Sequence, residues 1–91
     1  MKTNKITITG RVQGVGFRYF TKKVAETHQM KGWVRNTREG TVEIMATGEE
    51  NQLNAFIEDV IKGNMFSKIE GIDIKVLDYR RFERFEIITD Q

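Results

Sequence analysis

The sequence predicts an α+β fold, an antiparallel sheet with two helices on one face, and three observations predict it. Short runs near both ends and in the middle of the chain alternate apolar with polar residues, as half-buried strands do. Two longer stretches instead repeat their apolar residues at helical spacing. The two kinds of stretch follow one another as strand, helix, strand, strand, helix, strand, with a further short strand at the end. Nothing reads as a linker, a repeat or low-complexity sequence, so residues 1–91 are expected to form one domain. A chain of this length buries only about 60–65% of the surface it exposes when unfolded, so its core has to be continuous.

Residues 5–12 set Ile6 and Ile8 against Thr7 and Thr9 and read as the first strand. Gly14 and Gly16 punctuate it. From Phe17 the period changes: Phe17, Phe20, Val24 and His28 share a face, so a helix is expected over 17–28. A second strand follows at 31–36. Thr37, Arg38, Glu39 and Gly40 turn the chain into a third strand, 41–46, with Val42, Ile44 and Ala46 pointing one way. Leu53, Phe56, Ile57, Val60 and Ile61 mark the second helix, with Thr47-Gly48-Glu49-Glu50 as a capping box before it and Gly63 as its stop. Ile72, Ile74 and Val76 alternate with Asp73 and Lys75 as a fourth strand, and residues 85–88 read as a short fifth.

This order is the split-βαβ, or ferredoxin-like, arrangement, with an expected spatial strand order of 4-1-3-2. Strands 1 and 2 then run the same way on either side of strand 3. Two strand spacings put their C-terminal ends on the order of 10 Å apart on one rim. The turn after Val12 should therefore face Asn36.

Composition narrows the chemistry. The chain has no cysteine, which removes disulfides, thiolate nucleophiles and thiolate metal sites, and the cytoplasm is the expected compartment. No apolar run approaches the roughly 20 residues that span a bilayer, and Met1 leads into strand-like sequence without a signal segment. A net charge of +2 and a pI near 9.0 favour anions in general. Arg80, Arg81 and Arg84 form the densest basic cluster, read as a solvated loop, so neither nucleic acid nor membrane is an expected partner, and a monomer is the expected state.

The first helix has no Ser, Thr, Asp or Asn between Gly10 and Arg18, so its opening N–H groups, around Val15 to Arg18, lack a side-chain acceptor. They meet water or a bound anion. Gly14 and Gly16 allow positive φ, which lets successive N–H groups converge into a nest. Arg18 in the first turn opposes the helix dipole unless an anion sits there. Taken alone, Gln13-Gly14-Val15-Gly16-Phe17-Arg18 is either an anion site or a plain glycine turn with an exposed arginine. Asn36 by itself is an ordinary turn former; its expected place opposite Arg18 makes it a group able to orient a water. His28 is the only histidine and reads as a surface or capping residue, Trp33 as packing, and Glu49, Glu50, Glu58 and Asp59 as solvated helix positions. Tyr19 and Tyr79 have no activating partner in the pattern.

No triad, metal cluster or acid–base pair stands out, and neither a metal nor a cofactor is expected. Catalysis would then rest on positioning and electrostatic stabilisation. Such a site is unsuited to a phosphate monoester, whose alkoxide leaving group wants a metal or a general acid. A mixed carboxylic–phosphoric anhydride suits it, because a carboxylate of pKa about 4 leaves without a proton.

Residues 10–18, reading GRVQGVGFR, and residues 32–48, reading GWVRNTREGTVEIMATG, closely resemble the two motifs of the acylphosphatase family. They come in order, with Asn36, Gly40 and Gly48 in register, and the likeness extends over nearly the whole chain to Phe85-Glu86-Ile87. The resemblance implies a metal-independent hydrolase that splits small acyl phosphates into a carboxylate and inorganic phosphate. It implies that Gln13, Gly14, Val15, Gly16, Phe17 and Arg18 hold the phosphoryl group through backbone N–H groups. Arg18 neutralises that group, Asn36 orients the attacking water, and a phosphate oxygen takes the water proton. The chain departs from the pattern at Gly63-Asn64-Met65-Phe66-Ser67-Lys68, where many members carry Gly-Pro and then small or apolar residues.

An RNA-recognition domain shares the element order, but its central third strand displays aromatic residues, and Thr41-Val42-Glu43-Ile44-Met45-Ala46 has none. A non-catalytic module that docks an anionic partner on the same loop remains the alternative.

Overall fold

A computed structural model describes residues 1–89. Its elements are β1 (Lys2–Arg11), α1 (Phe17–Thr27), β2 (Lys31–Asn36), β3 (Val42–Gly48), α2 (Glu50–Lys62), β4 (Lys68–Leu77) and β5 (Phe85–Ile88). The sheet runs β4-β1-β3-β2-β5, the expected 4-1-3-2 order extended by β5. The first four strands pair antiparallel, while β5 lies parallel to β2 and makes the sheet mixed.

The core forms where the alternation of the strands meets the stripes of the helices. Ile6, Ile8, Val34, Val42, Ile44 and Ala46 supply one sheet face, and Phe17, Ala25, Leu53, Phe56 and Val60 close over it. The stripe of α1 differs by a residue from the expected one: Phe17, Thr21 and Ala25 are buried, while Phe20 and Val24 flank the core. Small side chains at 21 and 25 let the helix approach the sheet, and the larger ones fill the gaps beside it. Ile61, expected on the buried face of α2, is largely exposed.

The capping box expected at Thr47 does not form. Thr47 is the penultimate residue of β3, and Glu49 caps α2 without a side-chain hydrogen bond. The Thr47 hydroxyl serves a distant contact instead, donating to Arg80 O at 2.8 Å. Arg80 N donates to Thr3 Oγ1 at 2.8 Å, so the 2.6 Å Thr3–Thr47 contact must run from Thr3 to Thr47. This closed relay holds the segment that carries the chain from β4, at one edge, across to β5 at the other. Gly32 N then donates to Arg84 O at 3.0 Å, which sets β5 beside β2.

On the uncovered face, Glu43 is buried between Arg35 and Lys5, at 2.7 Å and 3.2 Å. Burial opposes its charge, but the hydrogen bonds and charges of Arg35 and Lys5 outweigh that and hold its carboxyl below the ordinary value. Trp33 packs on this face under the Arg35 guanidinium, 5.6 Å from the ring centre. His28 Nε2 meets Asp59 Oδ2 at 2.7 Å and ties α1 to α2, so Asp59 is a partnered residue and not only a solvated one. That bond, helped by Lys62, lowers the Asp59 pKa.

The entry to the site is set by Gly10. A bulge interrupts the β1–β4 register between Thr9 and Gly10, and Gly10 has φ 127°. A Cβ there would stand 2.1 Å from Lys68 O, so only glycine allows this close strand approach.

Candidate active site

The chain leaves β1 through the buried Val12 and turns at Gly14 and Gly16, which take φ of 73° and 75°. Gly16 is the left-handed N-cap of α1, with no side-chain cap bond and no acidic residue in the first turn. The first helical bond is Phe20 N to Gly16 O, at 3.1 Å. The N–H groups of Gly16, Phe17, Arg18 and Tyr19 therefore have no intrahelical acceptor. The uncapped start expected from the sequence extends one residue further, to Tyr19.

Asn36 ends β2 on the facing rim. It pairs with Val42 of β3, whose other neighbour is Ile8 of β1, so β1 and β2 approach the same rim from either side of β3. Val12, Gly14, Gly16, Phe17, Arg18, Tyr19, Asn36, Ile87 and Thr89 surround a cavity of about 240 Å³. Arg18 and Asn36 thus share one cavity. Arg18 is half-buried and pairs with no carboxylate among the described residues, whereas Arg35, Arg81 and Arg84 each do. The Asn36 Oδ1 atom is buried and has no hydrogen-bond partner among the described residues.

Gln13 and Val15 are absent from that lining. The Gln13 side chain points away from it: Nε2 donates to Thr37 O and to Thr41 O, both at 2.8 Å. It ties the glycine turn to the residues that follow Asn36. Val15 packs against the core, and its carbonyl accepts a hydrogen bond from Asn64 Nδ2 at 2.8 Å. Sequence reasoning missed both struts, and also Val12, Tyr19, Ile87 and Thr89 in the wall. The parallel β2–β5 pair brings in Ile87, and nothing local in the sequence announces that pair.

A larger depression of about 610 Å³ lies along Arg35, Thr37, Arg38, Glu39 and Glu43, with Asn36 at its border. Arg35 and Glu43 pair in its wall, Arg38 and Glu39 set opposite charges side by side at its rim, and no helix begins there to supply the open N–H groups of the smaller cavity. Among the described residues, no three His, Asp or Glu side chains gather as they would around a metal ion. The cavity offers a cation, backbone donors and one amide. These groups can bind and polarise a phosphoryl group and place a nucleophile, but they supply no carboxylate or imidazole base.

The acylphosphatase family model matches residues 4–87. The chain is 47% identical over 87 residues to an acylphosphatase of Bacillus subtilis, covering 92% of this chain and 93% of that protein. It is 46% identical over 82 residues to an acylphosphatase of Bacillus licheniformis, covering 90% and 89%. The crystal structure of acylphosphatase from Bacillus subtilis superposes with a TM-score of 0.94 at 43% identity, over 97% of this chain and 99% of that one. An acylphosphatase structure from Coxiella burnetii gives 0.91 at 29% identity, over 96% and 92%. The chain belongs to the acylphosphatase family, hydrolases of the carboxyl–phosphate bond of acyl phosphates.

Proposed function

We propose that Arg18 and the backbone of residues 13–18 hold the phosphoryl group of the acyl phosphate while Asn36 places the attacking water. One observation carries this reading: Arg18, the glycine turn and Asn36 line the same small cavity. The phosphoryl oxygens accept from the free N–H groups at the start of α1 and from the planar guanidinium fork of Arg18. The Asn36 side-chain amide, at the wall of the cavity, hydrogen-bonds the water and turns the water's lone pair toward phosphorus. A phosphorus–oxygen bond forms to the water oxygen, and the bond to the carboxyl oxygen breaks. The carboxylate leaves with the electron pair. One water proton passes to a phosphoryl oxygen, so the products are a carboxylate and dihydrogen phosphate, which then titrates with solvent. The charge that spreads over the phosphoryl oxygens in the transition state lies against donors already in place.

The reading extends to the chain as a whole. Residues 1–91 act as one acylphosphatase-like domain, supported by a single core shared by strands and helices. A monomer is supported at both sheet edges: β4 carries Lys68, Glu70, Asp73 and Lys75 and a bulge against β1, and β5 is four residues long. The absence of cysteine supports a cytoplasmic location, and no helix among the described residues is long and apolar enough to cross a membrane. No partner beyond the small substrate and its phosphate product is needed.

The test is hydrolysis of a simple aryl acyl phosphate by the purified protein, with Arg18→Ala alongside. Loss of one preorganised donor lowers the rate by about 10²–10³, and binding weakens as well. Near-normal turnover by Arg18→Ala would overturn the assignment.

A further inference from the structure

We infer that Asn64 is a positioning residue that locks the phosphate turn in its binding conformation. This rests on the reading of residues 13–18 as the phosphate site. Asn64 lies 49 positions along the chain from Val15, in the loop between α2 and β4, and its Nδ2 donates to Val15 O at 2.8 Å. The carbonyl accepts only, so the amide must present its nitrogen to it. The contact is close: a Cβ built on Gly16 would meet Asn64 Nδ2 at 3.7 Å.

The consequence follows from peptide geometry. A trans peptide is planar and carries its C=O and N–H in opposite directions. Holding the Val15 carbonyl toward Asn64 therefore aims the Gly16 N–H the other way, and Gly16 lines the cavity. Glycine at 14 and 16 leaves this turn few steric barriers, so the Val15–Gly16 peptide is free to flip unless something holds it. A flip would withdraw one donor and bring a carbonyl dipole against the phosphoryl oxygens. The Asn64 bond opposes that flip.

Asn64 is itself held. Its N–H donates to Ser67 Oγ at 2.9 Å, Ser67 Oγ donates back to Asn64 O at 3.2 Å, and Ser67 N–H reaches the same carbonyl at 3.3 Å. Three hydrogen bonds thus close this turn.

The test titrates inorganic phosphate into ¹⁵N-labelled wild type, Asn64→Ala and Asn64→Leu, and measures steady-state kinetics in parallel. In wild type the Gly16 amide resonance shifts with phosphate. In Asn64→Ala that shift shrinks relative to those of Phe17 and Arg18. Phosphate inhibition and KM weaken together by about 3–10-fold, as expected for one lost hydrogen bond felt equally by ground and transition states. Turnover changes by less than about twofold. Asn64→Leu keeps the size, the neutral charge and the Ser67 bonds, which run to the backbone of residue 64, but offers the carbonyl no donor; it loses the Gly16 response as well, and it decides the matter if the alanine variant fails to fold. A variant that keeps wild-type phosphate affinity and Gly16 shift overturns the role of Asn64 and leaves the site standing, as does a fall in kcat at constant KM. No phosphate response anywhere in residues 13–19 of wild type overturns the site reading, and this inference with it.

Discussion

Replacing Gln13 by alanine should slow turnover more than it weakens phosphate binding. The side chain makes two 2.8 Å hydrogen bonds, to Thr37 O and Thr41 O. Neither carbonyl is orphaned by its loss, because Thr37 O also accepts from Gly40 N at 3.2 Å and Thr41 O from Thr37 N at 2.9 Å. No desolvation penalty is added to the two lost bonds, so stability should fall by about 1–2 kcal/mol. In a domain of this size that is roughly 5–15 °C in Tm. The kinetic effect comes from geometry. Thr37 follows Asn36 directly, so Gln13 sets the distance between the phosphate turn and the amide that places the water. A drift of a fraction of an ångström should lower kcat by about 10-fold, within the 10²-fold reached by a full ångström of misplacement. The backbone donors stay in the turn, so KM and phosphate inhibition should change by less than about threefold. The assay is steady-state hydrolysis of an aryl acyl phosphate well below the lowered Tm, with phosphate as competitive inhibitor. If phosphate inhibition collapses while kcat holds, the side chain binds phosphate directly and the strut is wrong. Unchanged kinetics would show that the two sides of the cavity are aligned by something else.

Asn36→Ala should lower kcat far more than it weakens phosphate inhibition, since it removes the group that places the water and leaves the phosphate donors intact; a collapse of phosphate affinity would make Asn36 a binder instead. Turnover should survive incubation with EDTA, and loss of activity that Mg²⁺ or Zn²⁺ restores would place a metal in the reaction. Glu43→Gln should destabilise by about 1 kcal/mol at pH 7, measured as a urea midpoint. The lowered pKa gives this difference its sign: it is present above the unfolded value near 4.5 and fades as pH falls toward the folded one, so equal midpoints at pH 7 would refute the ion-pair account.

What was legible in the sequence is what local chemistry decides. The bounds of β2 and β5 follow from alternation and turn residues, and the open start of α1 follows from the lack of a capping side chain. The meeting of Arg18 and Asn36 was readable because it needs only the strand order. Other features depend on partners far along the chain. β3 runs on to Gly48 because Thr47 is claimed by Arg80 and Thr3, which is why a capping box reading failed there. β4 begins at Lys68, earlier than its alternation begins, because a bulge lets it follow β1 past Gly10. Gln13 and Asn64 reach 24 to 49 residues away, and no periodicity reports such contacts.

Arg18 offers a way to separate what the fold needs from what the reaction needs. It occupies the second position of α1, where a cation faces the positive end of the helix dipole, and no described carboxylate offsets it. Without an anion this arrangement costs about 0.3–1 kcal/mol. Arg18→Ala should therefore be no less stable than wild type in phosphate-free buffer, although it loses activity. Phosphate should reverse the order. A ligand that binds only the folded state at 100 times its Kd stabilises by about 2.7 kcal/mol, roughly 10–20 °C here, and the variant should lose most of that gain. Thermal unfolding of both proteins with and without phosphate decides it, with sodium chloride matching ionic strength. Equal phosphate gains in both would mean that the anion is held without Arg18. A variant already much less stable in phosphate-free buffer would make Arg18 a folding residue whose loss of activity says nothing about the site. The opposite pattern, stable without phosphate and unresponsive to it, is what a residue kept for the anion alone should show.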